Sequence, residues 1–171
     1  MILTGAEIRN QVREGAVTIR PFSPDQINPN SYDFRLGDTI LQYSNSLLDA
    51  RAANPTSARR IPEEGTVLER GRFYLGHTAE TMGSNSFVPI IRAKSSIARL
   101  GLFVHVTADL IDIGSINQWT LQLYPVHSII VYPGMRIGQV TFWKTYGRID
   151  LYNGKYQGAV GPIASKSFVD S

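Results

Sequence analysis

The chain has 171 residues, 43% of them hydrophobic and 18% charged, with a formal net charge of +3. Those are the proportions of one soluble globular domain, large enough for a real core and lacking the concentrated basic face of a duplex-DNA binder. The absence of cysteine excludes disulfides, thiolate metal sites and thiol catalysis, and three scattered histidines give no zinc spacing. The opening MILTGAEIRN carries an acid and no long apolar run, so neither a signal peptide nor a membrane span is expected and the cytosol is the default location.

Thr4-Gly5-Ala6-Glu7 reads as a capping box flanked by Leu3 and Ile8, and predicts a helix from Gly5 to about Arg13 that Gly15 stops. AVTIRPF alternates as a strand ended by Pro21, and SYDFRLGDTILQY sets Tyr32, Phe34 and Leu36 against Ser31, Asp33 and Arg35 in a half-buried pattern. Ser44 to about Arg60 has no clear period and is expected to be a surface excursion. TVLERGRFYLGHTAETM suits two strands in a hairpin turning at Arg70-Gly71, SFVPIIRAK gives another strand, and HSIIVYPGMRIGQVTFWKTY gives two more joined through Pro133-Gly134. Short strands at this spacing behind one helix predict an all-β barrel or sandwich forming a single domain over 1–171. From about 147 the chain turns glycine-rich and is read as an arm leaving the core, yet it keeps Tyr152, Lys155, Tyr156 and Gln157, and disordered ends are usually poor in aromatics.

The most informative stretch is RAKSSIARLGLFVHVTADLIDIGSINQWTLQL, Arg92 to Leu123. Ser95 to Gly101 looks like a capped helical turn whose free amides, hydroxyls, Lys94 and Arg99 suit an anion, or else a solvated surface turn. GLFVHVTADLIDIG is apolar on both sides of Thr107-Ala108-Asp109 and suggests a tight hairpin in the core. Asp112, between Ile111 and Ile113, is then a buried carboxylate that needs a partner or a function, or a turn aspartate before Gly114. His105, among apolar neighbours, reads as a core or interface histidine. In WTLQLYP, Thr120, Gln122 and Tyr124 share one face and Trp119, Leu121 and Leu123 the other, leaving Gln122 either structural or a reader of an amide-like ligand edge.

KSSIARLGLFVHVTADLID closely resembles the signature of the dCTP deaminase branch of the trimeric dUTPase-like superfamily, and INPNSYDFRLG, PGMRIGQVTF and GKYQGAVGP extend the resemblance over essentially the whole chain. The resemblance implies a mainly β, distorted barrel or jelly-roll homotrimer with a short N-terminal helix. Its sites would lie between subunits, a deoxyribonucleoside triphosphate would be the substrate, Mg²⁺ would sit on the triphosphate, and the arm, about 147–171, would close over the nucleotide. By position it assigns Ser95, Ser96 and Arg99, with Lys94, to the phosphates and the backbone around Thr107 and Ala108 to the pyrimidine edge. Asp112 would meet the deoxyribose 3′-hydroxyl and activate water, while Tyr152, Lys155, Tyr156 and Gln157 would come from the arm. Neither nucleic acid nor a membrane is an expected partner.

Three positions depart from the family pattern. Deaminating members carry glutamate where this chain has Gln122, and a carboxamide cannot shuttle the proton for attack on cytosine C4. Ala159-Val160 replaces the Gln-Arg pair common in deaminating relatives, and Asp109-Leu110 replaces a glycine followed by an aromatic. On these grounds the leading expectation is a dUTP diphosphatase forming dUMP and pyrophosphate. A dCTP deaminase carrying a glutamate-to-glutamine substitution at 122 and a catalytically silent nucleotide-binding relative are the alternatives.

Overall fold

The N-terminal helix α1 occupies Gly5–Arg13, where the Thr4 hydroxyl accepts the Glu7 N–H at 3.3 Å. The reciprocal half of the capping box is not made, because the Glu7 carboxylate accepts from Gln11 at 2.7 Å instead. The cap is worth about 1 kcal/mol; burial of Ile8, fully removed from solvent, adds about 1.5–3 kcal/mol by transfer. The structure, a computed structural model, describes residues 1–170.

Twelve strands follow in chain order: β1 (Val17–Arg20), β2 (Tyr32–Arg35), β3 (Thr39–Tyr43), β4 (Thr56–Arg60), β5 (Thr66–Leu68), β6 (Tyr74–His77), β7 (Thr81–Ser84), β8 (Phe87–Ala93), β9 (Leu102–Phe103), β10 (Thr120–Pro125), β11 (Ile129–Val131) and β12 (Arg136–Lys144), with a one-turn helix α2 (Ser95–Ala98) between β8 and β9. They form a five-stranded sheet β4-β3-β6-β10-β9, a three-stranded sheet β2-β12-β8, and the pairs β1-β7 and β5-β11. Every pairing is antiparallel. The fold is mainly β with one short helix at the front, as the sequence predicts, and its sheets wrap a shared core without closing into one ring. Tyr32, Phe34, Leu36, Ile91, Val140 and Phe142 are at its centre, each fully removed from solvent.

Several local expectations are corrected. The turn at Arg70-Gly71 is a corner and not a hairpin: Gly71 N–H is taken by Pro125 O, so β5 leaves to pair with β11 while β6 pairs with β10. Pro133-Gly134 is a corner for the same reason, since Leu36 receives the Gly134 N–H and β12 pairs with β2 and β8 instead of β11. The surface excursion before Arg60 ends in a true strand, β4, whose side chains are largely exposed. No hairpin forms after β9. The chain runs open through exposed Val106, Thr107 and Ala108 and then lies along β8, where Asp109 O and Ile111 N bond Ile91 N and Pro89 O.

In β2 the expected alternation fails at Asp33, which is only 2% exposed. Its carboxylate accepts from Asn28 at 2.7 Å and Gln139 at 3.0 Å, and pairs with Lys94 Nζ at 2.5 Å. A buried carboxylate costs several kcal/mol unless it is compensated in this way. Glu80, with no exposure, is held likewise by Arg35 Nε at 2.7 Å, Arg35 N at 2.9 Å and Gln26 at 3.2 Å.

Asp33→Ala strands Lys94, Asn28 and Gln139 and is expected to lower the unfolding free energy by about 3 kcal/mol, read as a fall in the urea midpoint at unchanged m-value. A second expectation concerns pH. His77 is buried against Gly37, donates Nδ1–H to Thr78 O, and has its pKa held below the ordinary 6.5 by desolvation. Because the unfolded chain takes up this proton first, stability is complete above about pH 6.5 and falls as the pH drops below it. Thermal melts from pH 7.5 to 5 should show that slope, and His77→Gln should flatten it.

Candidate active site

The side chains singled out by the sequence converge on β10. Leu121 and Leu123 are fully buried, which fixes the register, and alternation then turns Thr120 and Gln122 to the opposite face. That face borders a cavity of about 530 Å³ lined by Asp112, Ala108, Gln122, Tyr152 and Tyr156, and by His105, Asn117 and Trp119 among others. Its size suits a nucleotide-scale ligand.

Gln122 is half-buried and its orientation follows from its partners. Its Oε1 accepts from Val106 N and Thr107 N, both at 3.3 Å, while its own backbone N–H goes to Val104 O at 3.1 Å. The amide oxygen is therefore turned to the 104–108 backbone. Nε2, a donor with no partner among the described residues, is left on the other side of the group. Beside it the His105 Nε2 meets Ala108 O, so that nitrogen carries the hydrogen and buried Nδ1 is an acceptor without a protein partner. Desolvation lowers the His105 pKa, which keeps the ring neutral at physiological pH.

Asp112 lies at the cavity edge and is exposed, not buried; Ile111 before it packs against the core, and Ser115 N closes a turn onto Asp112 O at 3.0 Å. It is the only carboxylate among the lining residues. The helical turn α2 forms where expected, but Ser95, Ser96 and Arg99 are exposed on it and do not line this cavity. Lys94 is committed to Asp33. Thr107 borders a separate, smaller cavity of about 250 Å³ together with Arg92 and Asp109, which pair at 3.1 Å.

The arm returns across residues 113–120. Tyr152 N bonds Ile113 O at 2.8 Å, Gln157 Nε2 bonds Gly114 O at 2.8 Å, and Ile163 N bonds Thr120 Oγ1 at 3.0 Å. This brings Tyr152 and Tyr156 to the cavity wall, whereas Gln157 bonds backbone and Lys155 pairs with Asp170 beside the Tyr156 ring. Sequence reasoning missed Asn117, Gln118 and Thr120 as the residues that receive the arm. The signal was two amides and a hydroxyl interrupting an apolar run just before a strand.

A model of the dCTP deaminase-like family matches residues 2–145. The chain is 43% identical over 171 residues to a Clostridium beijerinckii protein named dCTP deaminase, dUMP-forming, covering 99% of this chain and 98% of that one. It is 46% identical over 158 residues to a Cytophaga hutchinsonii protein of the same name, covering 92% of this chain and 91% of that one. A solved structure of 2′-deoxycytidine 5′-triphosphate deaminase from Agrobacterium tumefaciens superposes with a TM-score of 0.68 at 23% identity, over 87% of this chain and 50% of that one, a likeness of fold. The names of the full-length relatives overturn dUTP diphosphatase as the leading expectation. The chain belongs to the dCTP deaminase-like family.

Proposed function

We propose that this protein converts dCTP to dUMP. One water replaces the amino group at C4 and releases ammonia. A second cleaves the bond between the α-phosphorus and its bridging oxygen and releases pyrophosphate. The observation that carries this reading is the match, along nearly the full length of both chains, to relatives named as dUMP-forming dCTP deaminases.

Gln122 Nε2–H can donate to the lone pair on cytosine N3, which draws electron density from C4. A carboxamide cannot carry a proton between water, N3 and the leaving amine, so that proton traffic runs without a side-chain shuttle at this position. Asp112, the carboxylate on the cavity wall, is the group to orient and deprotonate the water that attacks phosphorus. Among the described residues no three His, Asp or Glu side chains are grouped to hold a metal, and a lone carboxylate suits magnesium that arrives on the triphosphate as part of the substrate. Bound there, magnesium neutralises phosphate charge.

Ser95, Ser96 and Arg99 stand outside the cavity, and Leu100 and Phe103 beside them are 56% and 51% exposed. This arrangement supports a homotrimer in which a neighbouring copy brings its α2 to the phosphates. A second reading, a relative that binds nucleotide without turnover, is favoured by Gln122 alone.

With Mg²⁺ and dCTP, the protein is expected to release ammonia, pyrophosphate and dUMP, and Gln122→Glu to raise the deamination rate by about 10²–10⁴-fold. Chromatography of the products with an ammonia assay checks this. If neither protein yields ammonia or dUMP, the reading is lost, and calorimetry with a non-hydrolysable dCTP analogue then tests the second one. For the shared site, Arg99→Ala and Asp112→Asn are each expected to be nearly inactive. Denaturing and refolding them together should recover part of the wild-type rate, because some mixed interfaces then hold both intact residues; no recovery would place Arg99 and Asp112 in one chain's site.

A further inference from the structure

The arm is held largely by backbone and side-chain groups of one short stretch, residues 113–120, and Asn117 is the most committed of its side chains. Its Oδ1 accepts two arm amides, Gly158 N at 2.5 Å and Ala159 N at 3.1 Å, and its Nδ2 donates to Ser115 Oγ at 2.8 Å. Its backbone is pinned in both directions to β7, with Met82 N to Asn117 O at 2.8 Å and Asn117 N to Met82 O at 3.0 Å. The residue is 4% exposed. Both lone pairs of the side-chain carbonyl are thus used by the arm, and none remains for a ligand. On the arm side, Gly158 and Gly161 have φ of +73° each, a conformation open to glycine at little cost, and it turns successive N–H groups inward. Gly161 N then reaches Gln118 Oε1 at 2.7 Å, and Ala159 O takes Gln118 N at 3.1 Å.

From this geometry we propose that Asn117 is a positioning residue, the seat on which the arm closes, and that it sets nucleotide affinity by holding Tyr152 and Tyr156 against the cavity. With the arm away, the Asn117 carbonyl exchanges its two arm donors for water, and each internal hydrogen bond is modestly favoured over that exchange; the closed arm is favoured for that reason. An aspartate at 117 keeps the two acceptor sites and can accept from the Ser115 hydroxyl, which reverses its role as partner. An alanine keeps none of these bonds. The consequence for turnover rests on the dCTP reading above; the closure of the arm does not.

The test compares Asn117→Ala and Asn117→Asp with the unaltered protein in two measurements. In steady-state kinetics with Mg²⁺ and dCTP, the alanine variant should raise KM about tenfold at nearly constant kcat, and the aspartate variant should restore KM. In limited trypsin digestion without nucleotide, cleavage after Lys155 and Lys166 should speed up about tenfold in the alanine variant and return towards normal with aspartate. If the alanine variant fails to fold, Ala159→Pro removes one of the two donors from the arm's own side, at a half-buried position, and should accelerate the same cleavages. Unchanged cleavage in Asn117→Ala, or equally fast cleavage in Asn117→Asp, overturns the assignment. Absence of dCTP turnover in every protein counts against the dCTP reading alone, and the digestion rates still decide the role of Asn117.

Discussion

A carboxylate withdrawn from water has to be answered by donors and charge, and in this fold two such groups tie the sheets together. Asp33 is on β2, yet its partners come from the loop before it, from β12 through Gln139, and from the end of β8 through Lys94. One side chain thus joins all three strands of a sheet at the edge where α2 begins. Glu80 performs the same work between β6 and β7, gathering Gln26 and both the backbone and the guanidinium of Arg35. Burying these pairs adds little net stability, because desolvation offsets most of the attraction. What they impose is a penalty on every arrangement in which one partner is missing, and so they fix how the sheets meet. Lys94 is drawn into this framework, and the anion-binding reading of α2 is left to Ser95, Ser96 and Arg99.

The elements that were legible in the sequence are those whose cause is local. Thr4 and Gly15 bound α1 because capping and the left-handed exit act within a turn. The faces of β10 were legible because Leu121 and Leu123 alternate with Thr120 and Gln122, and pleating alone separates them. Strand partnership was not legible. A Gly71 or Gly134 turn looks the same whether the flanking strands pair with each other or leave for different sheets, and the backbone acceptors that decide this, Pro125 O and Leu36 O, are distant in sequence. The burial of Asp33 was hidden for a similar reason, since its countercharge lies 61 residues away. For Asp112 two flanking isoleucines suggest burial, but the exposed side chain and the turn from Asp112 O to Ser115 N through Gly114 match the other reading, a turn aspartate.

The same division runs through the site. The resemblance points to Asp112 and Ala108 in the central stretch, to Gln122 as a departure there, and to the arm tyrosines, and folding brings all of these to one cavity. It could not show that α2, only a few residues earlier in the chain, stands apart from them. The Lys94 pair, β9 and the open run through Val106 to Ala108 lie between Ser95, Ser96 and Arg99 on the one side and Asp112 and Gln122 on the other. The cavity holds one kind of group and an exposed surface turn holds the other.

Gln122 gives the cavity its particular chemistry. Two backbone N–H groups fix its oxygen, so the amide is not free to choose its outward face, and the group turned away from them is a donor. A glutamate placed here would also accept from Val106 and Thr107, and its second oxygen would face the cavity as an acceptor or, when protonated, as an acid. The fold around position 122 therefore suits either residue, and the difference between them falls on one atom. That atom is a donor in the one case and an acceptor or acid in the other, while the register of β10 and the bonds between Asn117 and the arm need not change. Residues 115–122 carry both the cavity-lining Gln122 and the side chains that receive the arm. The cavity-facing amide and the side chains that receive the arm are thus built on a single short stretch, the one on the open face of β10 and the others at its start.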